Sequence, residues 1–192
     1  MRIVAANVWA AIAYVVADIM KSRKIAFGAV IAALSLVLML LTGIIPVGTY
    51  AFPCFAGVLL TAIVIDFGIP WAISVYAGVS VLSFLIVSDK EASLYYVLIL
   101  GIYPILKSLF ERIKLKWLGF MLKLLYFNLM AVIAFFISIY VLSVPAESFS
   151  IFGVNMPLVF LLLGNAVFVV YDICVTRLIY LYVNVWRGRF KF

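Results

Sequence analysis

Apolar residues run on in six long blocks along this chain, about Ile25 to Gly43, Tyr50 to Ile65, Pro70 to Val87, Ala92 to Leu109, Trp117 to Val144 and Pro157 to Leu181. A helix needs about 20 predominantly apolar residues to cross the hydrocarbon core of a bilayer, and helices satisfy all their backbone polar groups internally. The pattern therefore predicts an all-α fold, a polytopic transmembrane helical bundle with six core spans. Turn chemistry separates the blocks: Gly43 with Pro46 and Gly48, Gly68 with Pro70, the run Ser88-Asp89-Lys90-Glu91, and Pro145 through Asn155. None of these connections is long enough to fold alone, so residues 20–192 form one transmembrane domain.

Residues 1–19 stand apart. Ile3 to Asp18 is apolar and about one span long, yet it precedes the basic cluster Lys21-Ser22-Arg23-Lys24, which already works as a flank for the first span. Three readings stay open: an extra span with Met1 outside, a helix lying along the inner interface, or an extension ahead of a natural start at Met20. The single Arg2 and the lack of a small-residue cleavage site argue against a cleaved signal peptide.

Charge sets the orientation. Lys21, Arg23 and Lys24 share one side of the bundle with Lys107, Arg112, Lys114, Lys116 and Lys123, and with Arg177, Arg187, Arg189 and Lys191, twelve of the fourteen basic residues. The other side holds Lys90 between Asp89 and Glu91, together with Glu147. Basic residues gather on the cytoplasmic side of membrane proteins, so residues 20–24 and the C-terminus are expected in the cytoplasm, in a cytoplasmic membrane. The same distribution reads the net charge of +7 as topology rather than as affinity for nucleic acid.

The composition agrees with the blocks: 69% of residues are hydrophobic and 11% charged, with a mean hydropathy of +1.35, against about 25% charged in a soluble domain. Cys54 and Cys174 lie far apart without metal or redox spacing and read as small core residues. Histidine is absent, which removes the usual metal ligand and near-neutral proton carrier. No metal site, no cofactor and no enzymatic activity are expected. There is no G-x-x-x-x-G-K-[ST] loop, no H-E-x-x-H, no D-D-x-x-D and no serine in a G-x-S-x-G setting.

The first span opens with Gly28, Ala29, Ala32 and Ala33, small residues four apart in two adjacent registers, which let another helix approach closely. Internal packing of the bundle explains such a strip, and so does docking of a partner. The stretch Met20-Lys21-Ser22-Arg23-Lys24-Ile25-Ala26-Phe27, continuing Gly28-Ala29-Val30-Ile31-Ala32-Ala33-Leu34-Ser35, resembles the opening of S components of energy-coupling factor (ECF) transporters, the substrate-capturing membrane subunits of bacterial vitamin uptake systems. Size, six spans and cytoplasmic ends are similar too. The resemblance implies that Ala29 and Ala33, which match that family's Ala-x-x-x-Ala motif, dock on a shared transmembrane T subunit. It also implies that two ATP-binding subunits supply the energy.

Five sets of polar residues are candidates for chemistry. Asp89, Glu91, Tyr95 and Tyr96 set charge and rings at the outward end of the bundle, where a small polar solute is held by charge-assisted hydrogen bonds. A capped turn followed by an interfacial aromatic belt explains the same residues. In the last span Asn165, Asp172 and Thr176 share one helix face. Asp172, at the depth of the inner leaflet, is read as a structural ion pair or polar clasp with a snorkelling Lys107 or Lys123 ahead of a ligand or proton role, which stays open, and Asn165, higher up, is the better ligand candidate. Asn128 and the kink at Tyr103-Pro104 are read as lining a cavity, with interhelical hydrogen bonding explaining Asn128 equally well, and Asp66 as a contact for a cytoplasmic partner. The function expected from these readings is a small-molecule-binding subunit of an uptake transporter, with the bilayer, a T subunit and ATP-binding subunits as partners. Two alternatives compete: a membrane enzyme acting on a lipid, and a non-transporting accessory or assembly protein.

Overall fold

The structure, a computed structural model, describes the backbone over residues 2–45, 48–143, 150–151, 154–155 and 157–186, and side chains over 21–45, 48–143 and 161–185. Pro46, the segment 144–149 with Glu147, and Arg187, Arg189 and Lys191 lie outside the described residues. Among the described residues seven α-helices follow one another: α1 (Arg2–Leu41), α2 (Gly48–Phe67), α3 (Ile69–Ile86), α4 (Lys90–Tyr95), α5 (Tyr103–Phe110), α6 (Lys116–Tyr140) and α7 (Pro157–Leu181). A π-helical turn, Tyr96–Leu100, links α4 to α5, and a second, Tyr182–Trp186, follows α7. Among the described residues six helical stretches are long and apolar enough to cross a membrane, with α4, the π turn and α5 acting together as the fourth. The six-span, all-α architecture expected from the sequence is the one found. The α6–α7 connection, read from sequence as a loop, carries a two-residue antiparallel pairing of Ser150–Ile151 with Val154–Asn155.

α1 continues without a turn from Arg2 to Leu41. At 1.5 Å per residue that is about 60 Å of helix, roughly twice the hydrocarbon thickness. The basic cluster at 21–24 falls at its middle, so residues 2–20 prolong the first span on its basic side.

Local chemistry sets the helix ends. Gly68, at φ 85°, reverses the chain after α2, where a side chain would be strained, and Pro70 opens α3. At the other end of the bundle Asp89 caps α4, its Oδ1 accepting from the Ala92 N–H at 2.9 Å. Lys90 closes α3, its Nζ donating to the carbonyls of Phe84 at 2.6 Å and Val87 at 2.8 Å.

The fourth span is the axis of the bundle: 61% of it is buried, against 17–33% of each other span. Its ladder is also the irregular one. The Gly101 N–H reaches back to the Tyr96 carbonyl at 2.7 Å, one residue beyond the α-helical partner, and Pro104 has no N–H to offer Leu100. Three tyrosines from three other spans fill in. The hydroxyls of Tyr76 (α3), Tyr126 (α6) and Tyr171 (α7) donate to the carbonyls of Val97, Leu98 and Leu100.

On one side of this axis α1, α2 and α3 pack through apolar side chains such as Met39, Ala56, Leu60, Ile63 and Val79. Gly57 on α2 faces the Leu100 carbonyl and the Tyr171 hydroxyl so closely that a Cβ there would run into the carbonyl oxygen. Gly78 on α3 has nothing within 4 Å of the corresponding point. Gly57→Val is therefore expected to destabilise the protein by about 1–3 kcal/mol through overpacking. Gly78→Ala should be neutral or raise stability by up to about 1 kcal/mol, the helix-propensity gain. Chemical unfolding in detergent micelles, with helical circular dichroism as the readout, checks both, and equal effects of the two substitutions would contradict this packing.

Candidate functional site

Between α2, the fourth span, α6 and α7 lies a cavity of about 610 Å³, within the range of small-molecule sites. It occupies the half of the bundle nearest the Asp89 turn. Its wall is apolar and aromatic, with Ile99, Phe127, Ala131, Phe135, Leu161 and Phe168 among its side chains. The rings of Phe127 and Phe168 stack at 4.5 Å across its floor, and Phe168 meets Tyr103 edge-on at 4.9 Å. Gly164 lets α7 close on Phe127, whose ring lies 3.3 Å from where a Cβ would sit.

Polarity enters at one edge. Tyr50 at the start of α2 and Tyr95 at the end of α4 both line the cavity, with ring centroids 5.0 Å apart. Both hydroxyls donate to Glu91 Oε1, Tyr95 at 3.0 Å and Tyr50 at a longer 3.4 Å. Of the outward residues singled out in the sequence, Tyr95 lines the cavity, and Glu91 stands behind it as the acceptor of both rim hydroxyls. Asp89 does not line the cavity: Oδ1 caps α4 and Oδ2 accepts the Thr49 hydroxyl at 2.8 Å. Tyr96 points to the opposite side of its helix, fully buried against Met39, Ala56 and Val79, and its hydroxyl has no partner among the described residues. One residue's step along a helix, about 100° of rotation, separates the rim position from the core position.

Tyr103 and Asn165 also lie away from the rim. Tyr103 belongs to an ion cluster at the basic end of the bundle, its hydroxyl donating to Asp172. Lys107, 1% exposed, holds Asp172 Oδ1, donates to Thr176 Oγ1 at 2.8 Å and lies 3.0 Å from Glu111 Oε1. Lys123 reaches both Asp172 oxygens at 3.2 Å and Glu111 at 3.1 Å. Two ammonium groups and two carboxylates from α5, α6 and α7 thus form a neutral group. Lys107 and Lys123 both reach Asp172, where sequence reasoning offered them as alternatives. Glu111 was missed, although its place four residues after Lys107 on one helix face was the available signal.

Asn165 forms a reciprocal amide pair with Asn128, with N–H···O bonds of 2.9 Å and 2.8 Å. Its second N–H goes to the Leu161 carbonyl at 2.9 Å, so both donors are in use and α6 is tied to α7. Asp66, at the basic end of α2, accepts the Tyr182 hydroxyl within the chain. Cys54 lines the cavity, whereas Cys174, expected in the core, is exposed on α7; a cysteine is apolar enough for either place. Tyr50 and Tyr171 escaped sequence reasoning, because nothing local distinguishes a rim or carbonyl-binding tyrosine from one in an aromatic belt.

The small residues of α1 divide by face. Gly28 is buried, with Val75 of α3 at 3.2 Å from its Cβ position, and Ala32 is half-buried, while Ala29 and Ala33 are exposed on the outer surface. No metal-binding group of His, Cys, Asp or Glu occurs among the described residues.

These features define a multi-pass helical membrane protein with an apolar cavity and a tyrosine rim hydrogen-bonded to a carboxylate. No family model, curated protein or solved structure matches the chain.

Breaking the ion cluster from its centre should be costly, because it leaves two ammonium groups with one carboxylate between them in a low-dielectric site. Asp172→Ala is expected to destabilise the protein by about 3–5 kcal/mol in denaturant titrations in micelles. The combination Lys107→Met, Lys123→Met and Asp172→Leu should recover most of that loss. A single variant as stable as the parent would contradict the buried ion pair.

Proposed function

We propose that this protein is the substrate-binding membrane subunit of a small-molecule uptake transporter of the ECF kind, energised by separate T and ATP-binding subunits. The observation that carries the reading is the 610 Å³ cavity edged by Tyr50 and Tyr95, whose hydroxyls both donate to Glu91. An accessory protein that only holds helices together has no need of such a volume, since unfilled space lowers stability. Two further features support the reading. Ala29 and Ala33, the positions resembling the family's docking motif, face outward on α1 instead of packing inside. The cavity also lies toward the end of the bundle opposite the basic cluster, the outer end if basic residues mark the cytoplasm. In this reading the ion cluster of Lys107, Lys123, Glu111 and Asp172 is a structural tie near the cytoplasmic leaflet. The protein binds and releases, and hydrolysis of ATP belongs to its partners.

Because Ala29 and Ala33 are exposed on α1, a bulky residue there separates docking from folding. Ala29→Trp and Ala33→Trp are expected to leave the melting temperature in detergent within about 2 °C of the parent. Each should reduce recovery of T and ATP-binding subunits in affinity purification by about tenfold, since helices that meet through small residues cannot admit an indole. Purification of the parent chain alone, under conditions that preserve other membrane complexes, would favour the accessory reading.

A further inference from the structure

The wall and the opening of the cavity define the kind of molecule it suits. No charged side chain lines it. Apart from the Cys54 thiol, its polar groups are the hydroxyls of Tyr50, Tyr95 and Tyr171, and the last is bonded to the Leu100 carbonyl. A solute carrying many polar groups would leave them unpaired against this wall and lose affinity for each. At the rim both tyrosine O–H groups already donate to Glu91 Oε1, and Oε2 accepts no hydrogen bond among the described residues. The rim therefore offers acceptors: the lone pairs of two phenols and, directly behind them, the second oxygen of Glu91. A matching head group donates.

The opening faces the side of the bundle. Val132 and Phe136 on α6 and Leu163 on α7 line the cavity and are at the same time 43%, 51% and 52% exposed. All three lie toward the Asp89 end from the Asn128–Asn165 bridge, which ties the two helices below them. The lining of α6 extends from Phe127 to Phe136, about 14 Å of helix. Both α6 and α7 are membrane-crossing stretches, so what meets this gap is the acyl region of the bilayer.

We propose that the cavity takes a lipid-soluble molecule with one apolar body and one hydrogen-bond-donating head, an amine or a hydroxyl, which reaches it from the bilayer between α6 and α7. The head rests at Glu91 between Tyr50 and Tyr95, and the body lies along Phe127, Ala131 and Phe168. The assignment rests on the reading of this cavity as the substrate site.

Binding of tritiated dodecylamine to the protein in nanodiscs of zwitterionic lipid, read by scintillation proximity, tests it. Saturable binding above that of empty nanodiscs is expected. Unlabelled dodecylamine and dodecanol should compete, and dodecanoate should need about tenfold more, because its carboxylate meets Glu91. Ala131→Trp, which fills the cavity, should weaken binding by about tenfold, with Ala131→Phe as a milder filling variant if the first does not fold. Glu91→Gln should weaken the amine by about tenfold and leave dodecanol within about twofold. Val132→Trp, at the exposed edge, should slow association by about tenfold. Absence of saturable binding, equal competition by dodecanoate, or binding indifferent to both Ala131 variants would overturn the proposal. Amine binding by a chain that recruits no T or ATP-binding subunit would remove the transport reading and keep this one. Recruitment of those subunits together with a water-soluble ligand indifferent to Ala131→Trp would do the reverse.

Discussion

Hydrocarbon offers no hydrogen bonds, so a carbonyl that leaves a helical ladder inside a bilayer must find a donor from the protein. The central span of this protein breaks its ladder at two neighbouring points, at the π turn ahead of Gly101 and at Pro104. Tyr76, Tyr126 and Tyr171 answer it from three other helices. A tyrosine suits the task because its ring is at home among apolar side chains while its hydroxyl donates at the far end. Each such bond also fixes the distance of a surrounding helix from the axis. Once α3, α6 and α7 are held at tyrosine length from span four, the space between α6, α7 and α2 is wider than direct aliphatic contact would leave, and the cavity occupies it.

The two sides of the bundle are joined by different means. α1, α2 and α3 meet through small and aliphatic residues, with Gly57 admitting the Leu100 carbonyl. α6 and α7 meet through polar groups, the amide pair of Asn128 with Asn165 and, below it, the cluster of Lys107, Lys123, Glu111, Asp172 and Tyr103. Lipid tails are as apolar as leucine, so the hydrophobic effect adds little to helix association in a membrane, and polar ties and close packing carry it. Charges at this depth are tolerable because they neutralise one another and because Glu111, half exposed, leads out toward the basic end of the bundle.

The overall architecture was legible in the amino-acid pattern because span length and turn chemistry are set by the bilayer's thickness. Which face of each span looks inward was not. In a soluble helix the apolar stripe marks the core, but here the surroundings are apolar too, and α2 and α3 show almost no one-sided bias. Cys174 on the outside and Tyr96 on the inside both follow from that lost signal. Polar residues inside apolar runs were better guides: Asn128, Asp172 and Thr176 stood out because such groups are expensive in hydrocarbon, and the structure places each against a partner. The rim was half legible. Glu91 and Tyr95 lie four apart on one helix, a spacing visible in the chain, whereas Tyr50 comes from another span 41 residues away from Glu91, and only the folded arrangement brings it there.

A cavity of this size is a standing cost, because side chains around unfilled space lose contacts that a tighter packing would give them. Collapse is prevented by directional bonds. To close the gap, α7 would have to move toward span four, which would require Asn165 to leave Asn128, Tyr171 to leave the Leu100 carbonyl and Asp172 to leave two lysines. Each step leaves a polar group unpaired in a medium without water. Apolar contacts slide at small cost, but hydrogen bonds weaken steeply once their geometry is lost. The same polar groups that hold α6 and α7 to the bundle therefore also hold them apart, and the volume beside Glu91 persists as a consequence of how the helices are tied.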